Sequence, residues 1–169
     1  MSPRAYAPVM LELAQKGFLT VIVPMPLNLA FFGADRALNV MEKYPGINTW
    51  TIAGHSLGGA MACKFASEHA EKVDQLILLA AYTTKSFDLS DSGIPVLSVS
   101  ASKDGLTTPE KINKNKPFLP PDTVYFEIEG GNHAQFGDYG MQFGDGKADI
   151  NGTKQIRLTV EQILVFLEG

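Results

Sequence analysis

The chain has 169 residues, 45% of them hydrophobic and 19% charged, with a net charge of −4 and an isoelectric point near 5.3. This composition is ordinary for a globular protein with a buried core, so we expect residues 1–169 to form a single domain. The acidic balance supplies no basic patch, which argues against nucleic acid and against a membrane surface as partners.

Hydropathy and cysteine content add further exclusions. The longest apolar run, residues 18–27, contains Pro24 and Pro26 and is too short to span a bilayer. No signal-peptide pattern is visible at Met1, which favours a cytoplasmic location. Cys63 is the only cysteine, so an internal disulfide is impossible, and its position in a predicted helix favours a buried, unreactive thiol.

Helical and strand patterns alternate from end to end of the chain. The first helix is expected to start near Pro8, which suits a first turn, and to end at Gly17, which suits a C-terminal cap. The last helix has Thr153 as its expected N-cap and apolar residues at helical spacing. The predicted helices cover residues 7–17, 33–46, 56–73, 108–116 and 153–169. The predicted strands, most of them continuous apolar runs, cover residues 18–25, 49–54, 74–82, 94–102 and 123–130.

This alternation predicts an α/β fold. Continuous apolar strands separated by helices indicate an open, mostly parallel sheet with helices on both faces. In such sheets ligands bind beyond the carboxyl ends of the strands. Candidate functional residues are therefore sought directly after each strand.

The segment GHSLG follows one of these strands and precedes a helix. Gly54 and Gly58 are expected to remove side chains that would clash across a sharp turn, which holds the Ser56 hydroxyl at the rim of the sheet with strained backbone angles. The amide of Leu57, at the positive end of the helix, is placed to stabilise an oxyanion. A bare match to this motif is common, but its position between strand and helix favours a nucleophile over a capping serine.

An acidic residue follows the strand at 94–102. Asp104 precedes a glycine, and Asp in that position is usually a turn residue. Its place beyond a strand end favours instead an acid that orients an imidazole. Asp88 and Asp91, one strand earlier, stay open as alternative acids, and Asp138 is expected to be a turn residue.

A histidine follows the last predicted strand, in a glycine-rich loop. His133 is one of three histidines in the chain. We expect the side chain of His55, next to Ser56, to point away from the site, and His69 to be solvated on the outer face of its helix. His133 is then the histidine expected to reach Ser56 from another strand end.

The order Ser56, Asp104, His133 along the chain is the order of α/β-hydrolases, and it differs from the two common serine-protease orders. The segments GHSLGG, SASKDGLTTP and GGNHAQFGDYG resemble α/β-hydrolases, specifically the small lidless esterases similar to dienelactone hydrolases. The resemblance covers nearly the whole chain. It implies a serine ester hydrolase in which Ser56 is the nucleophile, His133 the base and Asp104 its orienting acid, with no cofactor and no metal.

Two features bear on the substrate. Dienelactone hydrolases usually carry Cys as the nucleophile, so Ser56 favours simple carboxylic esters. Only residues 83–93 separate two predicted strands where larger relatives insert a lid, so we expect an open site for small or short-acyl esters. A lactone or thioester substrate stays an alternative. Phe87 and Leu89 either line an acyl pocket or pack on the core, and packing is the more ordinary outcome.

The family pattern places strands and a His-Gly loop before the first helix, whereas this sequence begins at that helix. The second oxyanion donor is therefore unassigned. The sheet is also expected to lack the strand that would lie between the predicted strands 18–25 and 49–54. Three accounts stay open: a fragment of a longer protein, a minimal hydrolase with a donor amide in residues 2–5, or an assembly such as a homo-oligomer that covers the open strand edge. A non-catalytic scaffold that binds a ligand or partner is the alternative function.

Overall fold

A computed structural model describes residues 3–25, 33 and 35–169. The α-helices in this part of the chain are α1 (Ala7–Gln15), α2 (Arg36–Lys43), α3 (Leu57–Glu68), α4 (Pro109–Asn115) and α5 (Gly152–Glu168). The strands are β1 (Thr51–His55), β2 (Gln75–Leu79), β3 (Val96–Ala101) and β4 (Val124–Ile128). Each lies within a segment where the sequence predicts that type of element, apart from the last residue of β1 and the first residue of α5.

The four strands form one parallel sheet in the order β1-β2-β3-β4. The two inner strands are the most buried, as their continuous apolar sequences predict. Strand β4 lies at one edge, where Val124 is 49% exposed. The predicted open parallel sheet is confirmed.

Helices cover both faces of this sheet. Because side chains alternate along a strand, β2 contributes to two separate cores. Ile77 and Leu79 pack in one core with residues of α1 and α5, whereas Leu76 and Leu78 pack in the other with Phe65 of α3. The sheet is therefore the middle of three layers, and its edges and strand ends are the surfaces left for function.

The strand predicted at residues 18–25 does not form. These residues follow α1 and belong to no sheet, and most of them are only partly buried. A strand exists through hydrogen bonds to a neighbouring strand, and apolar sequence alone cannot supply that neighbour. Among the described residues β1 pairs only with β2, so its other edge has no strand beside it.

Two other details differ from or refine the sequence-based predictions. Asn151, and not Thr153, caps α5, because its Oδ1 accepts the backbone N–H of Lys154 at 2.8 Å. Thr153 is already inside the helix, whereas an N-cap residue comes directly before the first helical residue. Gly17 follows α1 with φ of +94°, which suits the predicted cap.

The connection from β2 to β3 contains no lid. It includes one short 3₁₀ turn, Lys85–Phe87, and is closed by a hydrogen bond from the Thr83 hydroxyl to the Phe87 carbonyl at 2.5 Å. Leu89 is only 1% exposed, and both Phe87 and Leu89 pack in the core on the α3 side. Their packing role is confirmed. No helix in the described ranges combines the length and apolarity needed to cross a membrane.

Candidate active site

The three predicted site residues lie beyond strand ends on the same edge of the sheet. Ser56 directly follows β1, Asp104 lies three residues after β3, and His133 lies five residues after β4. Parallel strands present their carboxyl ends at one edge. The three loops that carry these residues therefore meet at the same edge of the sheet.

Ser56 has a backbone conformation that residues other than glycine rarely adopt. Its φ is +53° and its ψ is −124°. Its N–H donates to the Leu79 carbonyl at 3.0 Å, and its own carbonyl accepts from the Gly59 N–H at 2.9 Å. These bonds hold the residue between β1 and α3, and the strain they sustain is the kind found at functional sites.

The glycines around Ser56 act differently from the prediction. A Cβ on Gly54 would overlap the backbone of Gly58, and a Cβ on Gly59 would overlap the Ala81 side chain. A Cβ on Gly58 would meet nothing within 4 Å, so the expected clash at Gly58 is wrong. Gly58 lies in the first turn of α3, and its side-chain position faces open space. Gly54 and Gly59 are the glycines that the tight turn requires.

Asp104 and His133 form a buried pair. The Nδ1 atom of His133 lies 2.8 Å from Oδ2 of Asp104, and the two side chains are 1% and 0% exposed. The other carboxylate oxygen, Oδ1, accepts the N–H groups of Leu106 at 2.7 Å and Thr107 at 2.6 Å. With Asp104 ionised, its only available role toward the imidazole is acceptor, so Nδ1 carries the proton.

The remaining ring nitrogen of His133 is left without a partner. Its Nε2 is buried and makes no hydrogen bond to any residue that the structure describes, so it is not joined to the Ser56 hydroxyl. With the proton on Nδ1, a neutral His133 presents Nε2 as an acceptor. Hydrogen bonds of this kind are often long before substrate binds and tighten in the reacting complex.

His55 lies in the site region, contrary to the prediction that it points away. The residue is 7% exposed, and its ring centroid lies 4.6 Å from that of His133. Its Nδ1 lies 2.9 Å from the Tyr6 hydroxyl. The prediction rested on its place next to Ser56, but the 3₁₀ turn that carries Tyr6 and the loop that carries His133 and Phe136 both reach the His55 ring.

Burial decides the ionisation of this His55–Tyr6 pair. Burial, and then the nearby positive charge that His133 can carry, lower the pKa of His55 to about 3. Burial raises the pKa of Tyr6 to about 12. At neutral pH the phenol therefore keeps its proton and the imidazole is neutral, so His55 places no second positive charge beside His133.

His69 is not simply solvated, as the sequence suggested. Its ring packs against Phe65 with centroids 4.8 Å apart, and its Nε2 lies 3.5 Å from Oδ1 of Asp35. Asp35, Glu68 and His69 each offer one ligand atom, and these three atoms lie within 4.8 Å of one another, a set that could hold a cation. Glu68 also pairs with Lys64, and the group lies at the opposite end of α3 from Ser56. It is separate from the candidate active site.

The alternative acids lie elsewhere. Asp88 and Asp91 are exposed, and Asp88 accepts the Ser90 N–H at 2.9 Å, whereas the imidazole of His133 is paired with Asp104. Asp138 is exposed and its N–H donates to the Ala5 carbonyl at 2.7 Å. Cys63 is fully buried, and burial raises the pKa of its thiol to about 12, which agrees with the predicted unreactive thiol.

Sequence reasoning missed Asp145, which lies next to both loops. Its carboxylate accepts backbone N–H groups from the loop that carries His133 and from the turn that carries Asp104. Asp between two glycines usually indicates a turn, so nothing in its local sequence distinguished it. The contacts join segments that are far apart in the chain.

The oxyanion donors are only partly located. Leu57 opens α3, so its amide belongs to the first turn, whose N–H groups have no acceptor within the helix. The second donor is unassigned from the sequence, and one of the three open accounts places it in residues 2–5, where Ser2 lies outside the described residues and Pro3 has no N–H. Arg4 and Ala5 in the 3₁₀ turn Pro3–Tyr6 are the members of that range with an amide in the described structure.

Solved structures share the fold of this chain. A protein described as a CIB-like hydrolase from Thermoplasma acidophilum has a TM-score of 0.58 and 18% identity, over 79% of this chain and 59% of that chain. A pyrethroid hydrolase has a TM-score of 0.69 and 13% identity, over 99% and 94%. A thermophilic esterase from Thermogutta terrifontis has a TM-score of 0.69 and 12% identity, over 99% and 86%. At these identities the likeness establishes the fold alone.

The chain covers less than two thirds of the length of the Thermoplasma protein. No curated protein is similar enough to match it. The profile of the alpha/beta hydrolase family matches residues 1–157, which include every candidate site residue described above. The chain therefore belongs to the alpha/beta hydrolase family.

Proposed function

We propose that this hydrolase cleaves small or short-acyl carboxylic esters through an acyl-enzyme intermediate. Ser56 is the nucleophile, His133 the general base and acid, and Asp104 the carboxylate that orients His133. The backbone N–H of Leu57 is one of the donors to the oxyanion. The closer resemblance to dienelactone hydrolases stays a prediction.

The observation that carries the proposal is the unpartnered Nε2 of His133. Nδ1 of the same ring is held at 2.8 Å by a buried carboxylate, whereas Nε2 is buried with no hydrogen-bond partner in the described part of the chain. The carboxylate fixes the ring through Nδ1, so a neutral His133 presents Nε2 as an acceptor, which is the atom that a general base needs.

The acylation step follows from this arrangement. The Ser56 Oγ–H proton passes to Nε2 of His133 as Oγ bonds to the ester carbonyl carbon. Asp104 stabilises the imidazolium that forms, and the Leu57 amide stabilises the oxyanion. The tetrahedral intermediate then collapses, the bond to the alcohol oxygen breaks, and the alcohol takes the proton from Nε2.

Deacylation repeats the same transfers with water. Water gives a proton to Nε2 of His133 as its oxygen bonds to the acyl carbon. When the bond to Ser56 Oγ breaks, the carboxylic acid leaves and Oγ takes the proton back. The proton transfers between Ser56 and His133 need Oγ and Nε2 within about 2.6–3.2 Å of each other, a distance that substrate binding must bring about.

Short acyl groups are favoured by the connection from β2 to β3. It contains only a 3₁₀ turn, and Leu89 is turned into the core instead of lining an acyl channel. A lactone or thioester fits the same residues, so a substrate panel that includes both belongs in the test.

The test is hydrolysis of p-nitrophenyl acetate, butyrate and octanoate by the purified chain. We expect turnover that decreases with acyl length and that Ser56→Ala lowers by up to about 10⁶-fold, as loss of the nucleophile does in other serine hydrolases. Ser67→Ala is the matched control, because Ser67 is an exposed serine of α3 bonded to the Lys64 carbonyl at 2.7 Å. It should leave turnover unchanged.

Labelling by a fluorophosphonate distinguishes the alternative. A folded wild-type chain that neither hydrolyses any ester, lactone or thioester nor reacts with the fluorophosphonate would contradict the proposal and favour a non-catalytic scaffold. Undiminished turnover in Ser56→Ala would assign the nucleophile elsewhere.

A further inference from the structure

We propose that Asp145 is a positioning residue that sets the position of Asp104 relative to His133. The inference deepens the proposed function, because its effect on turnover rests on those two residues being the acid and the base. Its geometric content, the alignment of a carboxylate with an imidazole, can be tested without any substrate.

One carboxylate accepts four backbone N–H groups. Oδ1 of Asp145 accepts from Gly105 at 3.2 Å, from His133 at 3.2 Å and from Gly146 at 2.8 Å. Oδ2 accepts from Ala134 at 2.8 Å. Hydrogen bonds to an ionised acceptor are the stronger kind, so this group holds several main-chain segments at once.

These donors belong to the two loops that carry the proposed acid and base. Gly105 directly follows Asp104, and the other loop donates through His133 itself and its neighbour Ala134. Gly105 lies 40 residues before Asp145 in the chain, and His133 lies 12 residues before it. A single side chain therefore ties the backbone of one partner to the backbone of the other.

The loop that carries Asp145 is itself fixed against both neighbours. The Asn132 side chain donates from Nδ2 to the Gly146 carbonyl at 2.8 Å. A Cβ on Gly146 would overlap the Lys103 carbonyl, so backbone packs on backbone at this contact. The loop of Asp145 is thus fixed against the loop that carries His133 and against the turn that carries Asp104. Its carboxylate can therefore hold these two segments in a defined position relative to each other.

A role limited to global stability is a poor match to where Asp145 lies. It is only half-buried, and neither apolar core includes it. The hydrogen bonds that its carboxylate accepts all come from loop and turn amides, and none comes from a strand of the sheet. The expected consequence is local: Asp104 and His133 lose their common backbone anchor.

The kinetic test compares Asp145→Ala with Asp145→Asn. We expect Asp145→Ala to lower kcat by about 10-fold to 10²-fold with KM within about twofold, since small displacements of a catalytic group have effects of this size. Asn keeps one carbonyl oxygen for the bonds made by Oδ1 but loses the acceptor facing Ala134. It should therefore restore part of kcat.

Asp149→Asn is the matched control. Asp149 is an exposed carboxylate four residues along the same segment, and it pairs with the side chain of Lys103 at 3.2 Å. The Asp149→Asn substitution removes one negative charge from the same loop and should leave kcat unchanged. A loss in Asp149→Asn as large as that in Asp145→Ala would attribute the effect to charge alone and overturn the proposal.

A measurement independent of activity is the low-field NMR resonance of the His133 Nδ1 proton. In the folded wild type and in Asp149→Asn we expect this signal of the Asp104–His133 hydrogen bond, and in folded Asp145→Ala we expect its loss or a clear upfield shift. An unchanged resonance in folded Asp145→Ala would overturn the proposal. If no ester is hydrolysed at all but the resonance responds as expected, the positioning role stands and the esterase function fails.

Discussion

The two sides of the candidate site are held in place by different means. On the acid–base side, carboxylates accept the hydrogen bonds: Asp104 accepts two backbone N–H groups and the His133 ring, and Asp145 accepts four further N–H groups. On the nucleophile side, Ser56 is held by its own backbone bonds and by the close approach of Gly54 to the next turn.

This difference indicates which changes each side can tolerate. A carboxylate network depends on charge and on acceptor atoms, so it should respond to the loss of an oxygen. A turn closed by van der Waals contact depends on volume, so it should respond to the gain of a methyl group. The predictions below test that contrast, beginning with the largest effect.

Asp104→Asn is expected to lower kcat by about 10⁴-fold. The Asn side chain can still accept the Leu106 and Thr107 amides through its oxygen, so the turn should survive. Its NH₂ group, however, would donate to Nδ1 of His133 and force the proton onto Nε2, which then cannot act as the base. Steady-state hydrolysis of p-nitrophenyl acetate measures the effect.

Asp88→Asn is the control for that substitution. Asp88 is one of the two alternative acids suggested by the sequence, and its exposed carboxylate accepts the Ser90 N–H. It should hydrolyse the ester at the wild-type rate. A loss in Asp88→Asn with full activity in Asp104→Asn would move the acid to the earlier strand and remove the acid–base side of the comparison.

Gly54→Ala and Gly58→Ala test the nucleophile side. A methyl group on Gly54 would overlap the Gly58 backbone, and overpacking of this kind lowers the free energy of unfolding by about 1–3 kcal/mol. A methyl group on Gly58 meets nothing within 4 Å and lies in a helix, so Gly58→Ala should change that free energy by less than about 1 kcal/mol. Urea denaturation of both variants measures the difference. Equal destabilisation by the two would contradict the steric account of the turn.

His55→Gln tests the residue that directly precedes Ser56 and whose ring lies 4.6 Å from that of His133, between the nucleophile side and the acid–base side. The pKa of His55 is about 3 in the folded protein and 6.5 without the influence of the fold, with burial as the main cause. Between these values the unfolded chain binds a proton that the folded chain does not, so stability falls as the pH falls through this window. The Gln variant has no such group and should lose less stability between about pH 7 and about pH 4. Thermal midpoints across this range measure it, and parallel curves for the two proteins would refute the assignment.

Most of the fold was predictable because its signals are local. Continuous apolar runs between amphipathic segments specify buried parallel strands between helices, and β2 and β3 fit that rule. The run at residues 18–25 has the same character, yet it joins no ladder. A strand needs a hydrogen-bonding neighbour, and whether one is present is not a property of the segment itself.

For the site, the sequence by itself determined which residues follow the strands and in what order. A serine in a strand-to-helix turn, an acid after β3 and a histidine after β4 are consequences of chain order, since parallel strands bring their carboxyl ends to one edge. The pairing of Asp104 with His133, expected from that placement, is present at 2.8 Å.

Only the tertiary structure decided what surrounds those residues. It brought Tyr6 to His55 across 49 residues and Asp145 to Gly105 across 40, and it showed that Gly54, not Gly58, makes the close approach to the turn. Periodicity and motif spacing report on neighbours a few residues apart. Hydrogen bonds and steric contacts between distant loops depend on how the layers pack, and no local pattern in the sequence encodes them.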